Sequence, residues 1–150
     1  MKLQIPAVVM LTLFAGAASA QEIRPEVKAR QGQFQTLAIN LGILGGMARG
    51  DLAYDAARAE AAARSIAGVS MVDLAALFPE GTDSMSIDGT RAEPAIWSDL
   101  PDVLTKWQAL GTGAAAMQAA AAKGPQDIGA AIGGLAGACK ACHDAYRTPD

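Results

Sequence analysis

Apolar residues between Leu100 and Ala121 recur at alternating steps of three and four (Leu100, Val103, Trp107, Leu110, Ala114, Met117, Ala121). That period builds one continuous buried face only in an α-helix. The same spacing returns in Ile128, Ile132, Leu135, Cys139, Cys142 and Tyr146, once Lys123-Gly124-Pro125 has closed the preceding segment. Nearer the start, Arg24-Pro25-Glu26 puts a proline and an acid in a first helical turn. Val27, Phe34 and Leu41 then follow at heptad steps in a helix running to about Arg49. Beyond Gly50-Asp51, Ala67, Met71, Leu74 and Phe78 predict another helix that stops at Pro79. The stretch from Glu80 to Pro94 holds no periodicity and is the one long connection. Four helices with two short connections and one longer one specify an all-α fold, an antiparallel up-down-up-down four-helix bundle.

The first twenty residues read as export rather than structure. Lys2 precedes an apolar run from Val8 to Ala15, and Ala18-Ser19-Ala20 is a small-residue cleavage site. The run is shorter than the roughly 20 residues a membrane span needs, so residues 1–20 are expected to be a cleaved signal peptide and no span to remain. Residues 21–150 form one domain on this reading, and export from a bacterial cell places it in the periplasm. Losing Lys2 leaves 11 basic residues against 15 acidic ones, a net charge of -4. No Lys/Arg cluster offers a footprint for phosphates, so nucleic acid is not an expected partner. Alanine occurs 34 times while aromatics make up 5%, a balance that favours close helix approach over a bulky core.

Cys139-Lys140-Ala141-Cys142-His143 matches C-x-x-C-H and contains both cysteines and the single histidine of the chain. Two thiols one helical turn apart can each form a thioether to a haem vinyl group, with the next imidazole placed under the iron. The alternatives are a disulfide, a redox dithiol and a zinc site. A redox C-x-x-C more naturally opens a helix in a βαβ setting, and zinc wants four ligands that the chain does not supply. One haem c, fixed to Cys139 and Cys142 with His143 as axial ligand, is the expected cofactor.

With this motif in its last helix, the chain resembles the class II c-type cytochromes, the cytochrome c′ family, over nearly all of residues 21–150. Further matches are Arg30-Gln31, Leu77-Phe78-Pro79, the stretch from Thr90 to Trp97, and Cys139 to Arg147. The resemblance implies that Arg30 and Gln31 sit beside the haem propionates and that Phe34 occludes the iron face opposite His143. It implies further haem-side contacts from Arg91, Glu93 and Arg147. Read alone, Arg30 is a solvated cation, Phe34 plain core, and Arg147 a cation favoured by a helix C-terminus. Some relatives carry Trp where this chain has Ala75. A homodimer paired through the first two helices is implied too, with Leu37 and Leu44 as spare apolar positions.

The sixth iron ligand separates a gas-binding haem from an electron carrier, because an open position admits small molecules. No second histidine exists. Met47 lies 13 residues beyond Phe34, about 20 Å along the helix, and Met117 sits towards the far turn. Met71, on the second helix's apolar stripe, is the rival ligand and would make the protein a low-spin carrier. Low-spin relatives of similar sequence place Met where Phe34 stands. The expected protein therefore has five-coordinate high-spin iron, binds nitric oxide and carbon monoxide, and passes single electrons to redox partner proteins. A peroxidase would need a distal acid-base group, and the only histidine is spent on the other side.

Overall fold

The computed structural model describes residues 24–149, so the segment read as a signal peptide lies outside it. Four long helices and one single turn make up its regular structure: α1 (Pro25–Arg49), α2 (Ala56–Ser70), α3 (Ala95–Ser98), α4 (Leu100–Ala121) and α5 (Pro125–Tyr146). A 3-10 turn spans Ala75–Leu77. The long helices close a ring in which α1 packs on α2 and α5, and α4 packs on those same two neighbours. Among the described residues there is no strand beyond an isolated bridge between Ala92 and Arg147. No helix of that part is long and apolar enough to cross a membrane.

The ends follow local chemistry. Pro25 opens α1 in its first turn, and Gly50, at φ 81°, closes it by donating its N–H to the Met47 carbonyl, a left-handed position that favours glycine. Asp55 caps α2 by accepting the Arg58 N–H at 2.7 Å, and Asp99 caps α4. Gly124, at φ 138°, makes the sharp turn between α4 and α5.

One apolar cluster fills the end of the bundle where α1 meets α2. It gathers Leu44, Met47, Ala62, Ile66, Leu110, Met117, Ile128 and Leu135, all at most 5% exposed. The alanines let the helices close up, and Gly113 extends this: a Cβ there would come within 3.1 Å of the Leu135 Cα. A second cluster at the other end holds Leu74, Ala92, Ile96, Val103 and Tyr146.

Two expectations are corrected here. The second helix does not run on to Pro79 but ends at Ser70, where Ser70 Oγ donates to the Ala67 carbonyl and Asp73 accepts the Ala75 N–H. These local bonds compete with helix continuation. Met71 consequently leaves the apolar stripe and is 85% exposed. Leu44 is not a spare apolar position either, being fully buried in the first cluster, with Leu37 packed against it. The most exposed large apolar side chain of α1 is Ile39, at 63%.

Candidate functional site

Cys139 and Cys142 are free thiols on one face of α5, both partly buried. Cys139 packs against the first cluster and Cys142 against the second, and Trp107 of α4 touches both clusters. The pair therefore marks the seam between the two halves of the core. Burial raises the pKa of each thiol; the nearby Lys106 cation partly offsets this at Cys142.

His143 follows on the last turn of α5 and is exposed. Partial desolvation, then the Arg147 and Arg91 cations, lower its pKa against an opposing pull from Asp144. The neutral imidazole, the form that ligates metal, is thereby favoured. His143, Arg91, Glu93, Asp144 and Arg147 line an open cleft of about 590 Å³. Arg147 lies past the end of α5 with extended backbone, in the bridge to Ala92. Arg91 donates from Nε and Nη2 to the Thr148 carbonyl, and Glu93 donates its N–H to the Tyr146 carbonyl, so the long connection is sewn to the chain end.

Phe34, on α1, meets Phe78 and Trp107 edge to face, with centroids 6.5 Å and 6.3 Å away. It is not packed core, for it remains 36% exposed. Trp97 donates its indole N–H to the Phe78 carbonyl at 2.9 Å, and Trp107 donates to the Val72 carbonyl at 3.1 Å, which fixes the wall around Phe34. Met71, the rival iron ligand in the sequence reading, is turned out to solvent at 85% exposure.

Arg30 is no solvated cation. It is 3% exposed and donates to Thr82 Oγ1 at 2.7 Å, to the Thr82 carbonyl and to Thr90 Oγ1, while its guanidinium lies 4.6 Å from the Phe78 ring centroid. Gln31 donates to the Gly89 carbonyl at 2.6 Å. Sequence reasoning missed Thr82 and Thr90 because a loop without periodicity gives no signal for them. Arg30→Met should lower the unfolding free energy by about 2–4 kcal/mol, since a charged donor to buried oxygens is lost. Urea unfolding checks this, and Arg30→Lys should recover only part, because one ammonium does not reproduce the guanidinium fork.

The seam fits a flat apolar group joined to both thiols. Helix α1 buries no residue between Arg30 and Leu44, and α5 buries none between Leu135 and Tyr146, although the two helices pack together and both ends of the bundle are closed. Phe34, Leu37, Leu41, Cys139 and Cys142 are thus only partly covered along a cradle that a porphyrin would fill.

Comparison with known proteins agrees with this fit. A family described as Cytochrome C′ matches residues 25–147. Cytochrome c′ of Cereibacter sphaeroides is 37% identical over 143 residues, which covers 93% of this chain and 96% of that one. A solved structure of cytochrome c′ from Rhodobacter sphaeroides superposes with a TM-score of 0.79 at 37% identity, covering 83% of this chain and 96% of the other. The nitric oxide complex of a single-residue variant of cytochrome c′ from Alcaligenes xylosoxidans superposes at 0.71 with 35% identity, covering 83% and 94%.

Proposed function

The chain belongs to the cytochrome c′ family, whose members carry covalent haem c, and on that premise we propose that it is a periplasmic haem protein that binds nitric oxide or carbon monoxide and passes single electrons. In this reading Cys139 and Cys142 form the two thioethers and His143 is the axial ligand. Arg30 and Gln31 form the polar edge on the propionate side, where they also hold the loop from Thr82 to Thr90. Arg91, Glu93 and Arg147 line the side on which His143 is exposed. Bound haem supplies an iron that takes one small ligand or one electron.

The observation that carries the proposal is the absence of a methionine sulfur along the seam, among the described residues. Met71 and Met85 are 85% and 84% exposed, while Met47 and Met117 are locked in the first cluster. Phe34, Phe78 and Trp107 stand there instead, and rings fill space without ligating iron. With haem bound, these rings would offer no donor to the iron on that side, which favours a small neutral gas as its ligand. The nitric oxide complex of the Alcaligenes xylosoxidans variant supports the same ligand class. The absorption spectrum of ferric and ferrous protein, with and without carbon monoxide, tests it.

Export rests on the first twenty residues, with cleavage after Ala20 leaving residues 21–150 as the mature domain. No enzymatic step is assigned, because no second histidine is present to serve as an acid-base group opposite His143. A homodimer through α1 and α2 completes the proposal, with Ile39 exposed on α1 for the contact. Sedimentation as a monomer at high micromolar concentration would remove that part.

A further inference from the structure

Arg30 and Phe34 stand one turn apart on α1, and both meet the ring of Phe78, the residue that follows the 3-10 turn. The Phe34 ring meets it edge to face with centroids 6.5 Å apart, and the Arg30 guanidinium carbon lies 4.6 Å from its centroid. Arg30 Nη1 also lies 3.5 Å from the carbonyl oxygen of Leu77, the preceding residue. The Phe78 carbonyl accepts the Trp97 indole N–H at 2.9 Å, which pins its backbone.

A guanidinium at the surface is hydrated, and its attraction for a ring is weak. Arg30 is 3% exposed, and its hydrogen bonds go to hydroxyl and carbonyl oxygens of Leu77, Thr82 and Thr90. Those acceptors fix the fork and leave its positive charge uncancelled. Phe78 therefore carries a buried cation against its ring, the setting in which the attraction is strongest. The consequence falls on Phe34. A ring backed by a loose neighbour moves with that neighbour at little cost, whereas Phe34 is backed by a ring that is held in place.

We propose that Arg30 is a positioning residue for ligand entry: by holding Phe78 it makes Phe34 swing against a fixed partner, and so slows the approach of a small gas to the iron. This role is separate from any contact to the haem propionates, because it acts through Phe78. The inference rests on the reading that Phe34 stands in the ligand's path.

Flash photolysis of the ferrous carbon monoxide complex of the intact protein tests it. Arg30→Leu should speed binding about three- to tenfold, the size of one desolvated cation–π contact. In a Phe34→Ala background the same substitution should add nothing, since no ring is left to hold. An equal acceleration in that background would mean that Arg30 acts through the haem or the loop, and overturns the proposal. Thr90→Val takes one hydroxyl from the clamp while Thr82 still holds the cation, so it should leave the rate as it is; acceleration equal to that of Arg30→Leu assigns the effect to the loop and overturns the proposal. Urea unfolding reads the contact itself. The separate costs of Arg30→Leu and Phe78→Leu should sum to more than the cost of the double variant, because either one breaks the contact; additive costs overturn the proposal. If Arg30→Leu does not mature, Arg30→Gln, which keeps donors for the threonines but drops the charge, replaces it in both measurements with the same results for and against. Should Phe34→Ala alone leave the rate unchanged, the reading of Phe34 falls and this inference with it. Should Phe34→Ala speed binding while the Arg30 variant does not, the inference falls alone.

Discussion

A variant with both Cys139→Ala and Cys142→Ala should lose its haem completely to acid acetone, whereas the wild-type chain should retain it. The two thiols sit three residues apart on α5 and both border the half-covered seam, so each is placed to join one edge of a single flat group. A thioether is a covalent bond, and acid that strips axial ligands leaves it intact. Cys142→Ala alone should keep haem through Cys139 but hold it less firmly, because one of two bonds is gone. His143→Ala should retain haem on the chain and change its spectrum, since attachment and ligation are separate functions. Retention of haem by the double variant would show that attachment does not depend on these thiols.

Phe34→Ala should speed carbon monoxide binding to the ferrous protein by about one to two orders of magnitude. With Phe34 over the iron as proposed, an incoming ligand would require the ring to swing away from Phe78 and Trp107, giving up two edge-to-face contacts worth about 0.5–1.5 kcal/mol each. That gives a barrier of about 1–3 kcal/mol, and each 1.4 kcal/mol is a factor of ten in rate. The stability cost should be about 1–2 kcal/mol, below the range for a fully packed phenylalanine, because 36% of the residue is already exposed. Flash photolysis measures the rate. An unchanged rate would mean that the ring does not stand in the ligand's path.

Much of this arrangement is legible in the residues themselves. Val103, Leu110, Ala114, Met117 and Ala121 are buried on α4, as their spacing requires, because steps of three and four place them on one stripe. The same holds for Ile128, Leu135 and Tyr146 on α5. Helix α2 misleads for a physical reason: alanine-rich sequence gives little contrast between faces, so Ala67, Met71, Leu74 and Phe78 fit a helical period that the chain abandons at Ser70. Asp73, bonding to the Ala75 N–H, is the signal that was there to be read. The clamp from Arg30 to Thr82 and Thr90 was illegible because it depends on the path of a loop across 52 and 60 residues of sequence. The hydrogen bond from the Tyr146 hydroxyl to Asp102 is equally non-local, although the i,i+4 spacing of Asp102 and Lys106 announced the salt bridge beside it.

In the proposed reading no side chain of the described residues bonds to the iron on the face opposite His143. The most direct measurement is the room-temperature absorption spectrum of the ferric and ferrous protein, repeated with carbon monoxide. The account predicts a high-spin ferric and ferrous spectrum without ligand, converted by one carbon monoxide per chain. A low-spin spectrum in both oxidation states that carbon monoxide leaves unchanged would contradict it, for a side chain would then hold the sixth position and the protein would be a carrier alone.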